Sequence, residues 1–329
     1  MSFLHPLIIR FLLILAAVIL DWFLADREPF THPVVLIGRL IEWLEKKLVE
    51  EGPLERSIPA GLFITAATLI AAGGLTYFLV RITLALHPLL GAFFALYIYY
   101  TGLAAGSLAR EGRKLAESLA EGRLEEARER ADMLITRDAE RMNEEDLSRA
   151  GIETVAENLN DAVIAPLFYG QIFGPTGVIL YKAIDTLDSM LGYKNSRYIK
   201  LGRAAAKIDD LASWPPARMT AIVLVIASLM PGYSAQKSLT TLRKDARKTS
   251  SPNAGYPEAA MAGALKVRLG GPDYYFGELV EKPYLGESNR PCTPASLRRA
   301  VKLIYITEIL FVLAAGSIGR FLAATPFLS

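Results

Sequence analysis

The chain has 329 residues, 52% of them apolar and 21% charged, with a formal net charge of +2 and a mean hydropathy of +0.29. That is too apolar for an ordinary soluble domain and too charged for a chain lying wholly in lipid. Nothing in so small a charge marks a nucleic-acid binder. The single cysteine, Cys292, excludes a disulfide framework or a Cys-rich zinc site, and His5, His32 and His87 form no H-E-x-x-H pattern. The class expected is all-α: a polytopic integral membrane protein with cytoplasmic helical segments and re-entrant hairpins.

A span needs about 20 mostly apolar residues. Residues 7–25, 58–80, 82–102 and 301–324 meet that length. The first has Asp21-Trp22 and Asp26-Arg27 where a signal peptide needs small residues, so it reads as a retained span. Between the first and second spans, "FTHPVVLIGRLIEWLEKKL" places Ile37, Leu40, Ile41 and Leu44 at the period of a helix lying along the interface. His32 before Pro33 reads as a turn residue, with substrate contact or proton transfer as its alternative role.

Two amphipathic helices are expected next, over 106–120 and 123–136, joined at Glu121-Gly122. Asn143 can cap a third helix, with Asp146 three residues on in capping-box position. That helix carries Glu153, Glu157 and Asp161, four residues apart and so on one face, and then runs into the apolar residues 162–168. Like charges at that spacing repel unless a cation sits among them, and all-oxygen ligands suit Mg²⁺. A wet acidic face is the plainer alternative, but unpaired charge at a membrane edge is expensive. Asn158 could add an amide ligand.

Residues 162–180 and 217–230 are apolar but interrupted or short, and are expected as re-entrant segments, with full spans as the alternative. Basic residues on both sides of them keep the flanking segments in the cytoplasm, leaving four true spans and an outside N-terminus. Between them, "YKAIDTLDSMLGYKNSRY" sets Lys182, Asp185 and Asp188 on one helical face and adds Lys194, Asn195 and Arg197. Acids to hold Mg²⁺ and cations to neutralise phosphoryl oxygens are what a phosphate site needs, although an ion-paired helix would look the same. Asp209-Asp210 before Trp214-Pro215-Pro216-Ala217-Arg218 again puts acids at a membrane boundary. In "SSPNAGYPEAAMAGALKVRLGG", Ser251 and Asn253 precede a helix with Pro257 in its first turn and its end near Gly270-Gly271, a place for a phosphate. No P-loop, kinase signature or G-x-S-x-G elbow occurs. The domain reading is one integral membrane domain over 1–329, with a cytoplasmic helical insertion at 106–160 and a cytoplasmic segment at 232–300.

"HPVVLIGRLI", "IETVAENLNDAVIAPLFYG", "TLDSMLGYKN", "DDLASWPPAR" and "SPNAGYPEAAMAGAL…RLGGPDYY", in that order from about residue 26 to 275, resemble the CobD/CbiB family of cobalamin-biosynthesis membrane proteins, the adenosylcobinamide-phosphate synthases. The resemblance implies a carbon–nitrogen ligase of the cell membrane, working on its cytoplasmic side. It would join (R)-1-amino-2-propanol O-phosphate, or a similar amino alcohol phosphate, to the one remaining propionate of adenosylcobyric acid, with ATP and Mg²⁺. The residue roles are a chemical assignment that the family name does not supply. Glu153, Glu157, Asp161 and Asp188, with Asp185, would hold Mg²⁺, while Lys182 and Lys194 would stabilise transferring phosphate. Ser251 and Asn253 would seat a phosphate, Arg218 would face a substrate anion, and Asn158 and Asn195 would assist binding. The family pattern has Asn where this chain has Asp185, and His-Pro where it has Thr249-Ser250, so His32 or the substrate itself becomes the expected base. The partners expected are the corrinoid, the amino alcohol phosphate and membrane lipid. Other corrin-pathway enzymes and further copies of this chain are the candidate protein partners, and nucleic acid is excluded. An ion-coupled transporter or membrane sensor is the rival reading.

Overall fold

The structure is a computed structural model that describes residues 6–25, 32–50, 52, 56–135, 137–193, 195–275, 277–287 and 290–324. Helices dominate, and the chain divides into two compact units. The first holds Met1–Ala104, Ala165–Ser213 and Ala314–Ser329; the second holds Ala105–Ile164 and Trp214–Leu313. The segments 106–160 and 232–300 both lie in the second unit.

Four helices are long and apolar enough to cross a membrane: Leu7–Leu24, Ile58–Leu86, Pro88–Ala120 and Pro294–Ser317. They overlap the four expected stretches, with the junction of the second and third moved, the third running on to Ala120 and the fourth beginning earlier, at Pro294. In the first unit, α1 (Pro6–Leu24) is followed by α2 (Pro33–Glu45), α3 (Ile58–Leu86) and α4 (Pro88–Gly102). The sequence reading ended the second span before Arg81, yet α3 runs through it to Leu86. Arg81 is compatible with a helix interior, whereas Pro88 has no N–H and suits only a first turn. His87 closes α3 and caps α4, its Nδ1 accepting from Leu89 N at 3.2 Å. Large apolar side chains such as Ile70 and Phe78 stand open on α3, 73% and 60% exposed, as a lipid-facing surface requires.

After the second unit's α5 (Ala105–Ala120), α6 (Leu124–Asp132) and α7 (Glu144–Leu159), the first unit resumes with α8 (Ala165–Phe173) and α9 (Pro175–Leu191). With 9 residues, α8 rises only about 13 Å, well short of a bilayer core of roughly 30 Å. The α8–α9 hairpin turns at Gly174, whose φ of 71° favours glycine. A Cβ on Gly177 would meet Tyr169 O at 2.3 Å, so the two helices approach backbone to backbone. Arg10 of α1 donates to Gln171 O at 2.8 Å and Ile172 O at 3.0 Å, answering carbonyls that the end of α8 leaves without helical partners. Of the residues expected to interrupt 162–180, Gly174 and Pro175 form the turn between α8 and α9, whereas Pro166 does not break the helix. Pro166 lies just after a π-turn, residues 160–164, which opens the helix around the missing N–H instead of ending it.

α10 (Arg203–Ala227) carries Pro215 and Pro216 in its interior. Pro216 cannot donate to Ala212 O, and Tyr169 Oη takes the vacated place, donating to it at 2.8 Å. Tyr169 also stacks on Tyr181, with ring centroids 5.4 Å apart, and the Tyr181 hydroxyl is 3.1 Å from Ser213 Oγ.

In the second unit the expected hairpin forms, with Leu108, Leu115, Leu119, Ala127 and Ala131 buried. Its second helix stops at Asp132, and Thr136 lies outside the described residues. α7 begins with a complete capping box: Asp146 N donates to Asn143 Oδ1 at 3.0 Å and Asn143 N to Asp146 Oδ2 at 3.3 Å. α11 (Ala235–Asp245) packs closely on α12 (Gly255–Leu265), where a Cβ on Gly263 would meet Lys237 O at 2.3 Å. α12 ends before Gly270-Gly271 because Lys266 adopts a left-handed conformation, φ 58°, and Val267 N reaches back to Ala262 O at 3.1 Å. Two short antiparallel pairs follow, β1 (Leu269–Gly270) with β4 (Tyr284–Leu285) and β2 (Asp273–Tyr275) with β3 (Glu278–Val280), and then α13 (Pro294–Ala324).

Candidate functional site

Two groups of carboxylates, one in each unit, are built differently. In the second unit Glu153 is buried. It is ion-paired with Arg137, and Oε1 accepts from Gly270 N at 2.6 Å. Arg137 also reaches Asp273 at 2.9 Å, and Arg149 lies 3.9 Å from the same carboxylate. The expected common face of Glu153, Glu157 and Asp161 is therefore not uniform. Glu153 is buried in this network, Glu157 is exposed, and Asp161 falls in the π-turn, half-buried, with Asn160 Nδ2 donating to it at 2.6 Å. The wider turn alters the four-residue spacing that put all three on one stripe. Asn158 bonds back to Thr154 O at 3.0 Å within the helix.

Facing this network from α12 is Glu258, which the sequence reading passed over. Burial first, then the charges of Glu153 and Glu157, push its carboxyl well above the ordinary range, with Lys282 and Arg137 opposing. The signal for it was faint: a lone acid inside an alanine-rich helix.

At the same N-terminal end of α12, and in the loop ahead of it, lies a cavity of about 670 Å³ walled by Trp214, Arg218, Arg247, Ser251 and Tyr256. The Arg218 guanidinium sits over two rings, 4.4 Å from Trp214 and 4.0 Å from Tyr256. It donates to Asn253 Oδ1 and Trp214 O at 2.9 Å each and to Pro252 O at 3.1 Å. Arg247 bonds the Tyr256 hydroxyl and, with Arg218, lowers its pKa. Ser251 Oγ accepts from Asn253 N at 3.2 Å and Ala254 N at 3.1 Å, which fixes the loop ahead of α12. Two hydrogen bonds accepted at Oγ leave the hydroxyl proton to give. Arg247, Trp214 and Tyr256 were not chosen from the sequence; a bare Arg-x-x-Ser spacing says nothing of stacking.

In the first unit Lys182 pairs with Asp185 at 2.6 Å. Asp188 is half-buried and lies against Gly192, where a Cβ would meet its Oδ1 at 2.1 Å. Asp209 of α10 faces the same group. Its carboxyl is pushed up to about 7 by burial, with Asp188, Asp185 and Asp210 adding to the rise and Ser213 opposing through a hydrogen bond. The pair Asp209-Asp210 thus belongs with Asp185 and Asp188, a grouping that needed α9 and α10 folded to be seen. Lys194 lies outside the described residues. Asn195 accepts from Tyr198 N at 3.0 Å and holds the following turn. His32 caps α2, its Nδ1 accepting from Val34 N at 3.3 Å.

Among the described residues no three His, Cys, Asp or Glu side chains stand together as a metal-ion cage. Mg²⁺ that arrives on a nucleotide needs less than a cage, since it keeps waters and takes one or two carboxylates besides phosphate. The hard-oxygen group around Asp188 and Asp209 fits that requirement. Burial also holds the Cys292 thiol up at about 12, which removes it as a nucleophile.

Comparison with known proteins agrees with the order of motifs. The family model described as CobD/Cbib protein matches residues 14–304. A cobalamin biosynthesis protein CobD of Geobacter metallireducens is 41% identical over 312 residues, 95% of this chain and 98% of its own. The protein of that name from Listeria monocytogenes is 40% identical over 299 residues, 91% and 95% of the two chains. In Pelobacter propionicus it is 41% identical over 293 residues, 89% and 90%. No solved structure matches the chain. On this evidence the chain belongs to the CobD/CbiB family, and its role lies in cobalamin biosynthesis.

Proposed function

We propose that this protein makes the amide bond between an amino alcohol phosphate, such as (R)-1-amino-2-propanol O-phosphate, and the one free propionate of adenosylcobyric acid, using ATP. A carboxylate is a poor electrophile. Attack of its oxygen on the γ-phosphorus breaks the bond to ADP and leaves an acyl phosphate. The amine nitrogen then attacks the acyl carbon, the C–O bond breaks, inorganic phosphate departs, and the amine proton passes to a base or to that phosphate.

The cavity around Arg218 is the observation that carries this reading. Two arginines, a phenol and an indole offer charge for a phosphate and flat apolar walls beside it. Ser251 has a proton to donate there, and Asn253 holds Arg218 in place. Mg²⁺ would supply charge neutralisation at the nucleotide phosphates, held by Asp188 and Asp209, with Asp185 and its partner Lys182 beside them; Glu157, in the second unit, is a separate candidate acidic contact. Glu153 is left out of that set because Arg137 already neutralises it. Lys194 keeps its assigned part in stabilising departing phosphate. The site would face the cytoplasm, where ATP is found.

The test uses the purified protein in detergent with adenosylcobyric acid, the amino alcohol phosphate and Mg-ATP. ADP and the amide product are expected together. Neither product under any condition would overturn the ligase and favour the transporter or sensor. Glu157→Gln with undiminished turnover would remove Glu157 from the acidic contacts.

A further inference from the structure

We propose that the cleft between α11, α12 and the turn after β4 is a separate anion site, taking a phosphate-bearing head group on Lys237, Lys266 and Arg290. It encloses about 270 Å³ and is lined also by Lys244, Asp245 and Glu287. This lies beyond the ligase reading, which places nothing at that end of α12.

Charge accounting comes first. Both acids of the cleft are committed. Glu287 pairs with Lys244, while Asp245, 1% exposed, pairs with Lys248 at 2.6 Å and accepts from Gly286 N at 2.7 Å. Lys237 and Lys266 have no ion-pair partner among the described residues. Lys237 and Lys266 thus bring two charges without an ion-pair partner into a small cleft whose carboxylates are already engaged, and an anion would relieve their repulsion.

The bland alternative is that these lysines serve the helices. Lys244, in the last turn of α11, does suit the helix dipole. Lys237 stands in the first turn of α11, where a cation is disfavoured. Lys266 stands at a left-handed position, φ 58°, where glycine is the easy residue. Each therefore occupies a position that opposes local stability, and what they share is the cleft. Size narrows the ligand. The cleft falls below the roughly 300–1,000 Å³ that holds a drug-sized molecule, so it accepts a phosphate or diphosphate head in place of a nucleotide or a corrinoid.

The experiment titrates the full-length protein in detergent with inorganic pyrophosphate by calorimetry, in an Arg247→Gln background that weakens the other cavity. Saturable binding is expected there. Adding Lys237→Gln or Lys266→Gly should each weaken it about tenfold, the loss of one charge-assisted hydrogen bond. Lys266→Gly should at the same time leave the melting temperature unchanged or higher, which separates lost binding from lost folding. Affinity that ignores both substitutions, or no saturable binding in that background, overturns the proposal. Repeating the titration in nanodiscs identifies the source of the head group. Weaker binding in phosphatidylglycerol than in phosphatidylcholine discs assigns the cleft to a lipid phosphate, and equal binding assigns it to a soluble one. Amide formation is read in a different assay, so either reading can fail without the other.

Discussion

Acidic side chains gather in both units, yet they are balanced in different ways. Glu153 and Asp273 are buried around Arg137, which is itself only 10% exposed, so their charge is cancelled by the chain. Around the half-buried Asp209, burial first and then the charges of Asp188, Asp185 and Asp210 lift its carboxyl to about 7, while Lys182 pairs with Asp185. A buried acid with its own arginine is architecture, whereas an acid raised by burial and by neighbouring acids can change its charge with pH.

The sharpest way to break this contrast is to remove the resident cation. Arg137→Met strands two buried carboxylates and should cost about 3–5 kcal/mol, seen as a large fall in thermal stability in detergent. A loss below about 1 kcal/mol would show that Arg137 is not what neutralises Glu153.

Asp209 supplies the next test, with the sign set by its raised pKa. Its folded-state value of about 7 stands above the ordinary 3.8, so the protonated form is favoured by folding. The contribution is full below about pH 4, falls as pH rises, and is gone above about pH 7. Asp209→Asn should flatten that fall, which is at most about 4 kcal/mol. Mg²⁺ should raise the melting temperature of the wild type more at pH 8 than at pH 5, since only the ionised group attracts it. An equal rise at both would remove Asp209 from the cation site.

Smaller in size is the exchange Arg218→Lys. The positive charge stays, but the stacking on Trp214 and Tyr256 and the fixed fork of donors go. The KM for the amino alcohol phosphate should rise about tenfold, equivalent to roughly 1.4 kcal/mol, with turnover much less affected. An unchanged KM would place phosphate binding elsewhere.

What could be read in advance follows the range of the interaction. The capping box of Asn143 and Asp146 is a contact over three residues and was legible as a motif. Four apolar stretches of membrane length were legible from hydropathy, although the His87-Pro88 turn, a matter of one missing N–H, moved a boundary. Partners distant in the chain were not legible. Nothing near Glu153 in sequence announces Arg137 or Gly270, and Asp209 joins Asp188 only when α9 and α10 are folded. Lys266 was hidden for the opposite reason: glycines nearby drew the helix end to them, while an unfavourable residue took the left-handed turn.

His32 tests that lesson on a single side chain. As the cap of α2 it works through the Nδ1 acceptor that receives Val34 N–H. His32→Ala should therefore lower stability by about 1 kcal/mol. His32→Asn keeps an acceptor of similar reach and should restore both stability and ligase turnover. A proton-transferring histidine behaves otherwise, because asparagine does not titrate: turnover would stay low in the Asn variant while the melting temperature recovered. Rescue of both assigns His32 to the helix, and rescue of stability alone returns it to the chemistry.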